Sequence, residues 1–341
     1  MENGILRLLG VALFCCGFGW AYGQTTAAAP PQTVFDYLTQ EEGAKIRLEL
    51  DLDSLVRNRK NASYLPATLI NTDGVALSLE VRTRGKFRRR KCAIPPVKLK
   101  FGKRDLAANH LDTLNEIKLV LPCIPDNASN DLIVREYLAY RMYETLTPAC
   151  TRARLVRLEL KNHAEKRPKK MLALFVEHEE QVVARLQGIK VADWGVDSQR
   201  LEMVDAALMV LFQYMIGNTD WEIGACRNIL LLQIGADHKL TTIPFDFDFS
   251  GLVSAPYAAP NSECNLKTVR DRFLMARGID PEALRIARTM ILDKRGEFYA
   301  MLRNEYLNVE SRIDMTAYLD LFFDMLSKQE DVPQVMEFTT K

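Results

Sequence analysis

The chain has 341 residues, 48% hydrophobic and 26% charged. That composition is globular and excludes collagen-like or wholly disordered classes, and the length allows one large domain or two lobes with ample core. With 45 Lys and Arg against 44 Asp and Glu, a net charge of +1 gives no overall pull towards nucleic acid, which is not expected as a partner.

The first 23 residues predict a secretory signal peptide. A short polar start precedes the mostly apolar run Leu8–Trp20, and Ala21-Tyr22-Gly23 places small residues before a cleavage point at Gln24. That run is shorter than the ~20 residues of a spanning helix, and no other run is long enough. An exported protein, periplasmic or secreted, without a membrane span after cleavage is therefore expected. Lipid anchoring at Cys15 or Cys16 is disfavoured by the bulky Phe14.

Residues 24–42 read as a linker, 43–180 as a β-rich part, 181–330 as a helical part, and 331–341 as a tail. "KIRLELDL" alternates with period two. "LPATLI" and "VALSLEVRTRG" flank Asn71-Thr72-Asp73-Gly74 as a hairpin. "PPVKLKF", "EIKLVL", "ARLVRLEL" and "KKMLALFVEH" are further strand candidates, and Asp131–Leu146 is a helix. Residues 45–177 thus suggest a mainly antiparallel sheet with one packed helix. Gln199–Ile216 predicts an apolar helix stopped by Gly217-Asn218. "NILLLQIG" and "KLTTIPFDF" predict a second hairpin, and three helices follow, around Leu266–Arg277, Pro281–Tyr306 and Asp314–Ser327.

Of seven cysteines, Cys15 and Cys16 lie in the signal segment. Cys92, Cys123, Cys150, Cys226 and Cys264 remain, an odd set without a CxxC motif, so a structural zinc site is not expected. Cys92 and Cys123 flank strands of the same β-rich part and are expected to form a disulfide, with Cys226 and Cys264 as a second pair.

Three acids stand at or beside apolar runs, where an uncompensated carboxylate costs several kcal/mol or more. Asp220 lies between the apolar helix and the second hairpin. Asn228 begins that hairpin, and Asp246 and Asp248 end it. The outer ends of a hairpin meet, so Asp220, Asn228, Asp246 and Asp248 should share one corner, with Asp246 and Asp248 on one face of an extended chain. Such oxygens suit a hard cation, Mg²⁺ or Mn²⁺; a turn cap at Asp220 and arginine partners for the Asp pair are the alternative.

The most basic stretch is Arg82–Arg104. Gly85, between Arg84 and Lys86 at an expected hairpin turn, would let backbone N–H groups approach phosphate, with Arg88 nearby. In "VKLKF", Lys98 and Lys100 share a face, turned either to a phosphate or to water. Glu136, beside Ile133 and Tyr140 on its helix, calls for a cation, and Lys100 is a candidate.

"RGKFRRR" before "PPVKLKF", then "LIVREYLAYRMYETL", "GNTDW", "RNILLL" and "IPFDFDFSGL", resembles the order of protein-kinase-like phosphotransferases. More closely, it resembles the spore-coat protein H (CotH) kinase-like family of atypical secreted kinases, over roughly residues 82–252. The resemblance implies a two-lobed, α+β protein-kinase-like fold, with a β-rich N-terminal lobe and a mainly helical C-terminal lobe with an inserted β-hairpin. It implies ATP with Mg²⁺ or Mn²⁺, and a protein or glycan hydroxyl as phosphate acceptor. Lys100 with Glu136 would hold the α- and β-phosphates, and Asp220 would orient the hydroxyl. Asn228, Asp246 and Asp248 would hold metal. Arg84, Gly85, Lys86, Arg88 and Lys98 would contact phosphate, and residues 177–180 would connect the lobes. The chain departs from the pattern at Asp-Phe-Asp, where kinases have Asp-Phe-Gly. It also departs at the Asp220–Asn228 spacing, longer than the roughly five positions of the kinase loop. A second expectation is therefore a secreted pseudokinase-like module that binds an anionic glycan or a partner protein.

Overall fold

The computed structural model describes residues 31–61 and 63–328. The signal segment and the tail lie outside the described residues. From Pro31 onward the chain is one unit.

Helix α1 (Val34–Leu38) opens it, so the expected linker ends earlier than residue 42; Val34 and Phe35 are fully buried. Strand β1 (Ala44–Leu50) buries every second residue, as its alternation requires, and α2 (Leu52–Arg57) follows, capped by the Asp51 side chain. The hairpin β2 (Leu65–Ile70) and β3 (Ala76–Thr83) forms around the Asp73-Gly74 turn. The next connection contains a short helix, α3 (Arg88–Lys91), rather than a tight turn, before β4 (Val97–Phe101). Then come α4 (Lys103–Ala108), β5 (Glu116–Val120) and α5 (Asn127–Leu146), whose first turn is capped by Asp126. The strands β6 (Ala153–Asn162) and β7 (Lys169–Glu177) complete the first sheet.

That sheet closes. Its order is β1-β2-β3-β4-β5-β7-β6, and β6 returns to pair with β1 in parallel, Leu48 opposite Leu160. The remaining neighbours are antiparallel. The lumen is filled by Ile46, Leu48, Leu69, Leu79, Val81, Leu99, Ile117, Leu158 and Phe175. The two-lobed protein-kinase-like fold expected above is therefore corrected. A kinase-type N-terminal lobe is an open sheet, whereas this one is a seven-stranded closed barrel with its own core. The strands were readable one by one. The parallel β1–β6 contact joins segments that no local pattern connects.

After the barrel come α6 (Glu179–Leu186), β8 (Ile189–Val191), α7 (Met203–Ile216), β9 (Ile229–Gln233) and β10 (Leu240–Pro244). β8 adds an outer strand to the β9–β10 hairpin. The helix expected near Leu266–Arg277 is absent: those residues form turns and extended loop, with Thr268 and Asp271 bonded side chain to backbone. The expected Pro281–Tyr306 helix breaks into α8 (Pro281–Asp293) and α9 (Arg295–Met301), and α10 (Val309–Lys328) ends the described chain. A second core packs α5, α7, α8, α9 and α10 against the outer side of the barrel through Tyr143, Phe212, Leu284, Phe298 and Phe323. Among the described residues no helix is long and apolar enough to cross a membrane.

Cys92 and Cys123 are bonded, and Cys123 O accepts the N–H of Ala93 at 2.9 Å. The link ties the basic α3 segment to the exit of β5. The second expected pair is corrected: among the described residues Cys226 and Cys264 are free thiols, as is buried Cys150. The disulfide closes a loop with a sequence separation of 31. Chain entropy for that loop predicts that C92A/C123A lowers unfolding stability by about 3–4 kcal/mol, read as a lower urea midpoint.

Candidate active site

Helix α7 must stop where the acid loop starts. Gly217 takes the left-handed φ of 65°, and a Cβ there would run into the Tyr318 hydroxyl, so glycine is needed twice over. Buried Asn218 then organises the turn. Its Nδ2 donates to Gln213 Oε1 at 3.0 Å, its Oδ1 accepts the Asp220 N–H at 3.0 Å, and its carbonyl accepts the Trp221 indole N–H at 3.0 Å. The eight-position loop is closed by Asn228, whose Nδ2 donates to Asp220 O at 2.6 Å and to Asp220 Oδ2 at 3.1 Å. Within it, the backbones of Glu222 and Arg227 exchange two hydrogen bonds of 3.0 Å. The expected Asp220–Asn228 neighbourhood thus forms. Burial raises the Asp220 carboxyl above its ordinary range, opposed by Arg227 at 3.9 Å and reinforced by Asp246.

The "PFDFD" segment does not stay extended. β10 ends at Pro244, and Asp246 adopts a φ of 67° with its N–H donated to the Tyr140 hydroxyl at 2.8 Å. Asp246 and Asp248 therefore do not share one face as expected. Half-buried Asp246 lies near enough to Asp220 and to Lys118 of β5 to shift both. Asp248 is buried and turned the other way: it accepts from the Tyr257 hydroxyl at 3.1 Å and lies 3.7 Å from Arg88. Phe247 anchors the bend, its ring 4.6 Å from that of Tyr140 and 5.7 Å from that of Phe212.

Arg88, not Lys100, is the cation of Glu136. Arg88 Nη1 lies 3.7 Å from Glu136 and 3.7 Å from Asp248, and its Nη2 donates to Leu121 O at 2.6 Å. Lys100 stands on the outer barrel face at 4.0 Å from Glu80 and above the Tyr64 ring. The expected Lys100–Glu136 pair does not form. One guanidinium between two buried carboxylates leaves negative charge uncompensated. Burial, then the Asp248 charge, pushes Glu136 up to about 8; burial, then Asp246, pushes Asp248 up to about 7. Outside this trio, Phe87 packs on Phe249 at 5.6 Å and on Tyr257 at 6.1 Å, seating the α3 loop on the acid segment. Gly85, at φ 79°, and Lys86 are exposed in that loop.

A basic strand face opposes the acids. Alternation in β4 and β5 turns Lys98 and Lys118, which are register partners, outward from the lumen. Lys98 pairs with Glu116 at 2.8 Å, and Glu116 lies 3.0 Å from His178 Nε2. His178 Nδ1 accepts the Glu180 N–H at 3.4 Å, capping α6, and Nε2 lies 3.1 Å from the Lys98 ammonium as well as 3.0 Å from Glu116. Burial, then Lys98, lowers His178 to about 4, which keeps it neutral. Lys118 has no ion pair among the described residues. Its ammonium sits 4.7 Å from the Phe245 ring centre, and burial, then Arg84, pushes it down to about 8. Sequence reasoning passed over Lys118, although "EIKLVL" carries the same alternation as "VKLKF".

Asp246, Asp220 and the free Oδ1 of Asn228 make a two-carboxylate, one-amide set. That set fits Mg²⁺ or Mn²⁺, which keep water and take phosphate oxygens, better than a cation that needs an all-protein cage. Among the described residues no three His, Cys, Asp or Glu side chains converge as a ready metal site. Asp248, held by Arg88 and Tyr257, is turned away from the set. Compared with known proteins, the chain matches no family model and no curated sequence.

Removing Arg88 strands two buried acids. R88M should cost roughly 3–5 kcal/mol in a urea titration, more than a surface arginine change. Between its ordinary value of 4.5 and about 8, Glu136 keeps in the fold a proton that the unfolded chain has released. Stability is therefore lost as pH rises through that window, at up to ~1.4 kcal/mol per pH unit for one proton. The wild-type melting temperature should fall across it, and E136Q should flatten the slope.

Proposed function

We propose that the cleft between the β4–β5 outer face and the β9–β10 corner binds ATP with Mg²⁺ or Mn²⁺ and transfers phosphate to a protein or glycan hydroxyl. The observation that carries this reading is Lys118: a half-buried, unpaired ammonium facing Asp246, with Arg84 and Lys98 on the same side. Lys118 feels two cations, Arg84 and Lys98, and two carboxylates, Glu179 and Asp246; with no ion pair among the described residues its ammonium is open to an anion, and the acid corner opposite it calls for a metal. A phosphate–metal pair answers both. Because the fold is a closed barrel, the reading rests on the site and not on architecture.

In it, Lys118, Arg84 and Lys98 bind phosphate oxygens, the part the sequence assigned to Lys100. Asp246 and Asn228 Oδ1 would hold the cation, which supplies charge neutralisation of the phosphates. Asp220, fixed by the Asn228 amide, orients the acceptor hydroxyl and takes its proton; the raised carboxyl favours that. Arg88 and Glu136 position Asp248 and the bend that carries Asp246. The likeness to the CotH kinase-like family supports the same reaction. The apolar N-terminal run and the Cys92–Cys123 bond support export, since oxidising compartments preserve disulfides.

Lys86, Arg90 and Lys91, exposed on the rim, favour a second reading: an exported module that binds an anionic glycan or a partner protein. Nucleotide binding separates the two. ATP with Mn²⁺ should raise the melting temperature. K118M and D246N should weaken apparent affinity at least tenfold, and K100M should leave it unchanged. D220N should lose transfer at least a hundredfold and weaken ATP affinity less than D246N does. No shift at millimolar ATP, with salt-sensitive heparin binding that R90E/K91E abolishes, would select the second reading. Lys118 loses its charge as pH rises through about 8. ATP affinity should fall there, and K118R, which stays charged, should retain it.

A further inference from the structure

Trp194 is 82% exposed, the most exposed large apolar side chain among the described residues. It sits just past β8 in the loop Ala192–Gly195, and that loop is fastened to the acid loop. Gly195 N–H donates to Gly224 O at 2.8 Å, and the Cys226 thiol donates to Asp193 O at 3.7 Å. Gly224 and Cys226 both lie between Asp220 and Asn228. The indole is thus carried by the same rigid corner as the hydroxyl-orienting acid. Trp221, by contrast, is buried and hydrogen-bonded to Asn218.

The groups around Trp194 narrow the ligand. Asp193 and Arg200 are neighbours at 3.3 Å, with side chains 63% and 48% exposed. Together, beside Trp194 in the chain, they offer planar acceptors and donors while cancelling each other's charge. An aromatic face that stacks on C–H bonds, bordered by a neutralised carboxylate–guanidinium pair that can bond hydroxyls, suits an uncharged sugar ring. It offers a polyanion no net positive charge to hold. Ile189, on the preceding strand β8, is also 65% exposed.

We propose that Trp194, with Asp193 and Arg200, forms an acceptor subsite for a neutral glycan beside Asp220. This deepens the phosphotransferase reading and rests on it for the word acceptor, although sugar binding itself needs no nucleotide.

The test titrates the whole protein without nucleotide with cellohexaose, xylohexaose and mannohexaose, read by intrinsic tryptophan fluorescence in the wild type and, because W194A removes that reporter, by calorimetry in every variant. At least one should quench or shift the emission saturably. W194A should weaken that binding at least tenfold, W194Y less, and D193A should weaken it several-fold. The ATP–Mn²⁺ melting shift should be the same in W194A as in the wild type. Three outcomes would overturn the subsite: no saturable change with any of the three sugars, equal binding by W194A, or a response to adenosine instead of the sugars. Sugar binding lost in W194A, in a protein that shows no ATP shift, would keep the subsite and remove only the transfer reaction.

Discussion

Buried Arg88 is the interaction on which the site depends. It comes from a four-residue helix in the most basic run of the chain, yet it is the basic residue of that helix turned inward. There it meets Glu136 from α5 and Asp248 from the segment after β10 while bonding the carbonyl of Leu121. One guanidinium thus joins the barrel, the long helix and the acid corner. Glu136 Oε1 and Arg88 Nε lack hydrogen-bond partners in the described structure, so the trio is tight in charge but incomplete in hydrogen bonding. Such an arrangement is weak as a source of stability and strong as a fixer of geometry.

The bend at Asp246 follows from that anchoring. With Phe247 held between Tyr140 and Phe212 and Asp248 held by Arg88, the preceding residue takes a left-handed backbone and gives its N–H to Tyr140. Asp246 thereby lies close enough to Lys118 of β5 to act on its charge. Two acids two positions apart thus have different surroundings: Asp248 is buried against Arg88 and Tyr257, and Asp246 is half-buried.

The sequence made the corner readable and left its partner obscure, for physical reasons. Asp220, Asn228 and the hairpin meet through contacts close along the chain, and the turn chemistry of Asn218 and Gly217 announces them. The lysine is a different problem. Lys98, Lys100 and Lys118 all sit on outward positions of alternating strands, and alternation tells inward from outward only. Which outward lysine faces the acids depends on where the hairpin lies over the barrel, a long-range fact. Glu136 was read correctly as an acid in need of a cation, but its cation came from the run expected to cover phosphate. The cysteine pair Cys92–Cys123 was accessible because both residues border neighbouring strands; Cys226 and Cys264 shared no such element. Barrel closure was invisible because β1 carries no mark that its second edge will be taken.

That closure sets an order on the making of the molecule. Arg47 and Glu159, hydrogen-bonded across the β1–β6 seam, are 112 residues apart in sequence. Until β6 has been synthesised, β1 has one bare edge and the lumen has no wall on that side. Helix α5 and the strands β2 to β5 are all finished earlier and must wait in an open, sticky sheet. The slowest event in forming this protein is therefore expected to be the arrival of the β6–β7 pair, and a chain emerging end-first is most exposed to misassembly until residue 177 has appeared.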